Sequence, residues 1–345
     1  MEHWPFQDYE LPRIDRISND FYAASFFLMK LLPARYMLQK AVEEKIIRPG
    51  GKIIESTSGT FGLALAMICA AKDFKLTLVS DPAIDTKLQS RLADLGVDLK
   101  IVDKKEEASG GFQNVRLQLL KDLLKQEPEY YWPRQYDNPY NPASYAKLAE
   151  FLVARLGKID ALIGPVGSGG SMVGSAKALK TVFPDLQVVG IDTPYSVLFG
   201  QPNGIRPLRG LGNSILPLNL EHSIFDIVSW VPAEKAFHFT RQLHREHGLF
   251  MGPTSGASYL VAKWYKDNNP GKKIVSIFPD EGNRYIDTVY SDIWLKSNGF
   301  IDNNPIQPPK LVDHPIKELK AWSVMHWNGR SLGSINHNDK LLINT

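Results

Sequence analysis

Gly164-Pro-Val-Gly-Ser-Gly-Gly-Ser171 lies between a short apolar run, residues 161–164, and a stretch of helical periodicity, residues 172–182. The glycines at 167, 169 and 170 carry no Cβ, so successive backbone N–H groups can turn toward one point, and the start of the helix adds partial positive charge. The stretch reads as an anion cup at the end of a parallel strand. A tight strand-to-helix turn with no ligand fits the same residues equally well. Two familiar phosphate motifs are excluded: there is no GxxxxGK[ST], and Gly167, Gly169 and Gly170 lack the third glycine of GxGxxG.

Outward from the cup, β-branched or apolar runs recur at residues 52–55, 76–80, 99–102, 188–192 and 274–278. Residues 61–72, 87–95, 112–125, 143–156, 234–247 and 256–267 place apolar side chains three and four apart. Strand, crossover helix and strand in alternation predict an α/β protein with parallel sheets. The turn-rich stretch Asp137-Asn-Pro-Tyr-Asn-Pro142 separates two such series, so the reading is a smaller domain over residues 1–145, its first residues crossing to the other domain, and a larger one over 146–300. Residues 301–345, with Asn304-Pro305 and Pro308-Pro309, read as an irregular C-terminal extension that adds a strand or two or packs on a neighbour.

With 345 residues, 40 Lys+Arg against 37 Asp+Glu, and 43% hydrophobic residues, the chain has a formal charge of only +3 and enough apolar matter for a sizeable core. No strong field is available for nucleic acid or an acidic membrane. The longest apolar run, residues 61–71, is far short of the about 20 residues that span a bilayer. Residues 1–15 lack the basic-then-apolar pattern of a signal peptide, and the expected location is cytoplasmic. The single cysteine, Cys69, excludes an internal disulfide and a CxxC metal site, and its neighbours Met67, Ile68 and Ala70 suit a buried small hydrophobe rather than a thiolate. His222, His238, His244 and His247 are spaced too irregularly for a metal pair, and no metal is expected.

Two further glycine-bearing turns precede helices. Glu55-Ser-Thr-Ser-Gly-Thr-Phe-Gly62 offers the Thr57 and Ser58 hydroxyls and helix-start N–H groups to a carboxylate, although a plain N-cap needs only one of them. Gly252-Pro-Thr-Ser-Gly-Ala257 offers hydroxyls to a ring nitrogen or, more simply, to the backbone.

In this order, the three turns resemble the fold-type II pyridoxal-phosphate enzymes of the cysteine synthase and cystathionine β-synthase family, over roughly residues 30–295. Gln135-Tyr-Asp-Asn-Pro-Tyr-Asn-Pro-Ala143, Arg209-Gly-Leu-Gly212 and Pro279-Asp-Glu-Gly-Asn-Arg-Tyr285 are similar to further motifs of that family. The resemblance implies the tryptophan synthase β-like fold, a homodimer, a small amino-acid substrate and pyridoxal 5'-phosphate as cofactor. By the same match, Lys30 in Met29-Lys-Leu-Leu-Pro-Ala34 carries the cofactor covalently, and Gly167, Ser168, Gly169, Gly170 and Ser171 bind its phosphate. Thr60 faces the ring oxygen and Thr254 the pyridine nitrogen, while Thr57, Ser58, Gly59, Gln135 and Gly210 meet the substrate. Burial of Lys30 among Phe26, Phe27, Leu28 and Leu31 is expected to lower its pKa.

The implied reaction is β-replacement on an O-activated L-serine, O-acetylserine or O-phosphoserine, through an aminoacrylate, to give cysteine or a 2,3-diaminopropionate-type amino acid. Three features depart from the pattern: Tyr22-Ala-Ala-Ser-Phe-Phe-Leu-Met29 stands where the family has an Asn-Pro-Gly-Gly-Ser stretch, Thr60 replaces an asparagine, and Phe61 replaces a threonine. Phe61, the spacing after Lys30 and Val289-Tyr-Ser-Asp-Ile-Trp-Leu295 look more like the siderophore-associated branch, which joins O-phosphoserine to glutamate. For such a second substrate, Arg116, Arg134, Arg206 and Arg209 are candidate cations. The alternatives are β-elimination or deamination of serine- or threonine-type substrates, and a non-catalytic relative serving as a binding protein.

Overall fold

The computed structural model describes residues 4–103, 112–301 and 307–335. The chain opens with β1 (Arg13–Ser18) and β2 (Phe21–Ser25), then α1 (Leu31–Glu43), β3 (Lys52–Ser56), α2 (Thr60–Ala71), β4 (Lys75–Ser80), α3 (Thr86–Asp94), β5 (Asp98–Ile101) and α4 (Gln113–Gln126). It continues through α5 (Tyr140–Ser144), α6 (Ala146–Leu156), β6 (Ala161–Pro165), α7 (Gly170–Val182), β7 (Gln187–Asp192), β8 (Ile227–Trp230), α8 (Ala233–His247), α9 (Pro253–Asn268) and β9 (Ile274–Phe278). The last elements are α10 (Asp292–Ser297), β10 (Lys310–Leu311) and β11 (Ser323–His326). Among the described residues no helix is long and apolar enough to cross a membrane.

These elements form two compact units. One comprises the chain up to Leu11 together with Leu28–Ser144, and the other Pro12–Phe27 together with the chain from Tyr145 on. The first unit is built on the parallel sheet β3-β4-β5, against which α2 lays an almost continuously apolar surface (Phe61, Leu63, Ala64, Leu65, Ile68). A helix apolar on nearly every side is a buried helix. Cys69 belongs to that core, and burial pushes its thiol up to about 12, which rules it out as a nucleophile near neutral pH.

The second unit carries an eight-stranded sheet in the order β1-β2-β9-β6-β7-β8-β11-β10. Its centre, from β2 to β8, is parallel and buried on both faces, as helix-covered parallel strands must be. β2 runs beside β9 with Phe21 opposite Ile274 and Ser25 opposite Phe278, so residues 12–27 join this sheet and not the first one. From the 301–345 stretch, β11 pairs antiparallel with β8 and β10 parallel with β11, extending the same sheet.

Near the junction of the two series, two details differ from the sequence reading. The helix expected over 143–156 is broken into α5 and α6, because the Ser144 hydroxyl donates to the Asn141 carbonyl at 2.7 Å and competes with the helix ladder. Pro142 lies inside α5, where a proline in the first turn loses no intrahelical N–H bond.

Candidate active site

In the second unit, β6 delivers the chain into the glycine cup and α7 leaves it. Gly169 caps α7 with φ +82°, and a Cβ there would fall 2.9 Å from Leu220 Cα and 3.0 Å from Asn219 O, so only glycine fits. Ser168 and Ser171 are buried beside it. The first N–H groups of α7 have no intrahelical acceptor by construction, and with both hydroxyls they form a cradle suited to a phosphate.

The turn Arg209–Gly212 docks on this cup. Gly212 N donates to Val166 O at 3.0 Å, Asn213 Nδ2 to Gly167 O at 3.5 Å, and Ser196 Oγ accepts from Asn213 N at 3.0 Å. Ser196 in turn bonds the fully buried Asp192, whose carboxyl burial pushes up to about 7. On its other side Gly210, at φ +82°, approaches Thr254: a Cβ on that glycine would lie 3.6 Å from Thr254 Cγ2. Thr254 follows Pro253 in the first turn of α9. Its Oγ1 is buried and has no hydrogen-bond partner among the described residues. A buried hydroxyl left unsatisfied is costly, so the position suits a ligand atom that accepts a proton. The second unit therefore brings Gly167–Ser171, Gly210 and Thr254 together.

In the first unit, Lys30 occupies the N-cap position of α1, and its carbonyl accepts from Ala34 N at 3.1 Å. Leu28, Met29, Leu31 and Leu32 around it are buried, and Lys30 itself is half-buried. Phe27, expected to help bury it, is exposed. Loss of hydration lowers the Lys30 amine from 10.5 to about 8, which raises the neutral, nucleophilic fraction near neutral pH to about a tenth or more. Behind it, Arg35 on α1 makes a buried bidentate ion pair with Glu10, one arm at 2.9 Å, which fixes the helix that follows the lysine.

The β3-to-α2 turn holds Thr57, Ser58, Gly59 and Thr60. Thr57 N donates to Val79 O at 3.0 Å and Gly59 N to Thr57 Oγ1 at 3.3 Å, while Ser58, Gly59 and Thr60 are half-buried at the head of α2. Phe61 points into the core of this unit. Gln135 is buried on the segment after Trp132, and its carbonyl accepts from Asn141 Nδ2 at 2.6 Å.

The feature missed by sequence reasoning is Glu55. It is 1% exposed and accepts from Ser56 N (2.8 Å) and Trp132 Nε1 (2.9 Å) on Oε1 and from Gln135 N (3.3 Å) on Oε2. Burial pushes it up to about 7 against those donors. The available signal was a carboxylate ending an otherwise apolar strand, Ile53-Ile-Glu55.

The candidate arginines are engaged within the chain. Arg116 is buried against Asp81 at 2.9 Å, Arg134 pairs with Asp137 at 3.0 Å, and Arg206 bonds Ser214 Oγ at 2.9 Å and the Gly204 carbonyl at 3.0 Å. Arg116 is thus a structural ion pair and not a cation awaiting substrate. Arg209 is exposed beside Gly210.

The orphan hydroxyl of Thr254 and the Cβ-free cradle at Gly169 fit pyridoxal phosphate: an acceptor ring nitrogen for one, a dianion for the other. Residues 29–280 match the profile of the family described as pyridoxal-phosphate dependent enzyme. The chain belongs to that family. Two N-(2-amino-2-carboxyethyl)-L-glutamate synthases are similar to this pyridoxal-phosphate enzyme. That of Cupriavidus metallidurans is 36% identical over 269 residues, 76% of this chain and 79% of the relative. That of Ralstonia nicotianae is 36% identical over 267 residues, 76% of this chain and 78% of the relative. Among solved structures, an O-acetylserine dependent cystathionine beta-synthase from Helicobacter pylori matches with TM-score 0.76 and 26% identity, over 84% of this chain and 100% of that one. A hydrogen sulfide-producing enzyme from Fusobacterium nucleatum matches with TM-score 0.73 and 29% identity, over 80% and 95%. The architecture of two α/β units is the fold-type II arrangement of these pyridoxal-phosphate enzymes.

Proposed function

We propose that the protein carries out β-replacement on an O-activated L-serine, with the amino group of an amino acid such as glutamate as the incoming nucleophile. The observation that carries the reading is the buried, unsatisfied Thr254 hydroxyl in the same unit as the glycine cup, in a chain 36% identical to synthases whose product name contains both a 2-amino-2-carboxyethyl group and glutamate. Pyridoxal phosphate, when bound, supplies an electron sink that acidifies the substrate's Cα–H and eases loss of the β-substituent.

The chain's own residues do the rest. Gly167–Ser171 hold the phosphate through backbone N–H groups and two hydroxyls. Thr254 donates to the ring nitrogen and Thr60 to the ring oxygen. A neutral hydroxyl partner leaves that nitrogen unprotonated, which favours β-chemistry over deeper carbanion chemistry. Lys30 would bear the cofactor covalently; once the amino-acid substrate takes its place there, the freed Nζ, whose pKa burial lowers to about 8, would take up and return the Cα proton. Thr57, Ser58, Gly59 and Gln135 grip the substrate carboxylate, with Gly210 leaving room beside it. The reading includes a homodimer, which rests on the family resemblance.

The test is product analysis by mass spectrometry of cofactor-loaded protein given O-phospho-L-serine or O-acetyl-L-serine with L-glutamate or with sulfide. The expected product is N-(2-amino-2-carboxyethyl)-L-glutamate. Cysteine as the dominant product would shift the reading to the sulfide branch, and pyruvate with ammonia would replace it by β-elimination.

A further inference from the structure

Glu55 is an acidic side chain placed where the apolar strand β3 ends, and its carboxyl group accepts from Ser56 on one stretch and from Trp132, Gln135 and the Arg134 backbone on another. Ser56 N belongs to the last residue of β3, which leads into the turn Thr57, Ser58 and Gly59. Trp132 Nε1 and Gln135 N belong to the segment that presents Gln135, about 80 positions away in the chain. A second tie runs through Gln135 itself, whose carbonyl is held by Asn141 Nδ2. The isolated bridge between Ile53 and Tyr131, with Ile54 N donating to Tyr131 O at 3.0 Å, brings the two stretches side by side but stops before the turn. Beyond that point the Glu55 carboxylate joins the Ser56 end to the Gln135 end.

We infer that Glu55 is a positioning residue: it sets the distance between the two stretches that grip the substrate carboxylate, and so determines amino-acid affinity without touching the reacting atoms. The inference rests on the carboxylate-binding role proposed above for Thr57, Ser58 and Gln135. The physical reason is that a two-sided clamp loses affinity when its halves are free to drift, because orientation then has to be established at the moment of binding. A carboxylate is the group suited to this place, since it offers two acceptor oxygens and no donor, and its hydrogen-bond partners here, Ser56 N, Trp132 Nε1, Gln135 N and the Arg134 backbone, are all donors.

The chemistry of an amide isolates the effect. In Glu55→Gln one oxygen remains for Ser56 N and Trp132 Nε1, but the NH2 then confronts Gln135 N–H, donor against donor, and the Gln135 side is released. Flipping the amide releases the Ser56 and Trp132 side instead. Volume is unchanged, so packing is preserved. Trp132→Phe is a second, milder variant that keeps an aromatic ring and removes a single donor.

The experiment is a titration of cofactor-loaded wild type, Glu55→Gln and Trp132→Phe with O-acetyl-L-serine, followed by visible absorption, alongside cofactor stoichiometry and steady-state kinetics. The expected result is a rise in Kd and KM of about ten- to a hundredfold in Glu55→Gln, and a smaller rise in Trp132→Phe, with kcat and cofactor stoichiometry close to wild type. The inference is overturned if Glu55→Gln binds the amino acid within about twofold of wild type, or if cofactor stoichiometry falls in step with affinity, which marks a general structural role. Should Glu55→Gln not fold, Trp132→Phe decides by the same readings. A wild type that loads cofactor but shows no response to the amino acid removes the functional reading and this inference together, whereas a responsive wild type with an equally responsive Glu55→Gln removes the inference alone.

Discussion

Gly169 and Leu220 meet so closely that a Cβ on the glycine would lie 2.9 Å from the leucine's Cα. The obstacle is backbone, which cannot swing away as a side chain can. The cup is therefore shaped by the 219–220 loop as much as by its own glycines.

Replacing that glycine gives the first prediction. Gly169→Ala faces a left-handed backbone at φ +82°, worth about 1–2 kcal/mol, and an overlap worth about 1–3 kcal/mol more. The apoprotein carries the same strain and relieves it by displacing the cup, so cofactor affinity is expected to fall about tenfold or more, read by titrating apoprotein with pyridoxal phosphate. Unchanged affinity would mean that the phosphate does not rest in this turn.

Thr254→Val separates apoprotein from loaded protein by sign. Removing a buried hydroxyl that has no partner relieves a cost of about 1 kcal/mol, so apoprotein stability in a urea titration should hold or rise. The loaded protein should lose cofactor affinity, because the ring nitrogen loses its donor. A Thr254→Val apoprotein clearly less stable than wild type would show that the hydroxyl has a structural task.

The pH dependence of apoprotein stability follows from buried groups of both signs. Glu55 and Asp192 are pushed up to about 7 and Asp280 to about 6, each by burial. Across the range between the ordinary carboxylate pKa and these values, the folded protein binds more protons than the unfolded chain, so stability falls as pH rises from about 5 to 7. Lys30 acts in the opposite sense. Lowered to about 8, it leaves the unfolded chain holding more protons between about 8 and 10.5, and stability is regained as pH rises through that window. A melting temperature that climbs steadily from pH 5 to 7 would contradict these assignments.

How much of this was legible in the sequence depends on how local each determinant is. The parallel strands β3, β4, β6, β7 and β9 announce themselves as continuous apolar runs because both faces are covered. β1, Arg13-Ile-Asp-Arg-Ile-Ser18, does not: it is an outer antiparallel strand carrying charges on an open edge, so no apolar run marks it. β8, Ile227-Val-Ser-Trp230, is short and its apolar side chains are interrupted by a serine, whereas the strand or two expected of residues 301–345 appear as β10 and β11. The glycine cup, the Thr57–Thr60 turn and Thr254 are each local strand-to-helix or loop-to-helix signals and could be read directly. Glu55 could not, since its partners Trp132 and Gln135 become neighbours only when β3 and the segment after α4 come together. The pairing of Arg116 with Asp81 was hidden for the same reason.

The central claim is that Lys30 is the amine that bears the cofactor, and the most direct measurement is borohydride reduction of the pyridoxal-phosphate-loaded protein followed by peptide mass spectrometry. The account predicts one reduced pyridoxyl group per chain on the peptide containing Lys30, and none at that peptide in Lys30→Met, whose apoprotein should in addition be more stable at pH 7 because no amine is held partly desolvated. A stoichiometric label on any other lysine, with Lys30 unmodified, would contradict it.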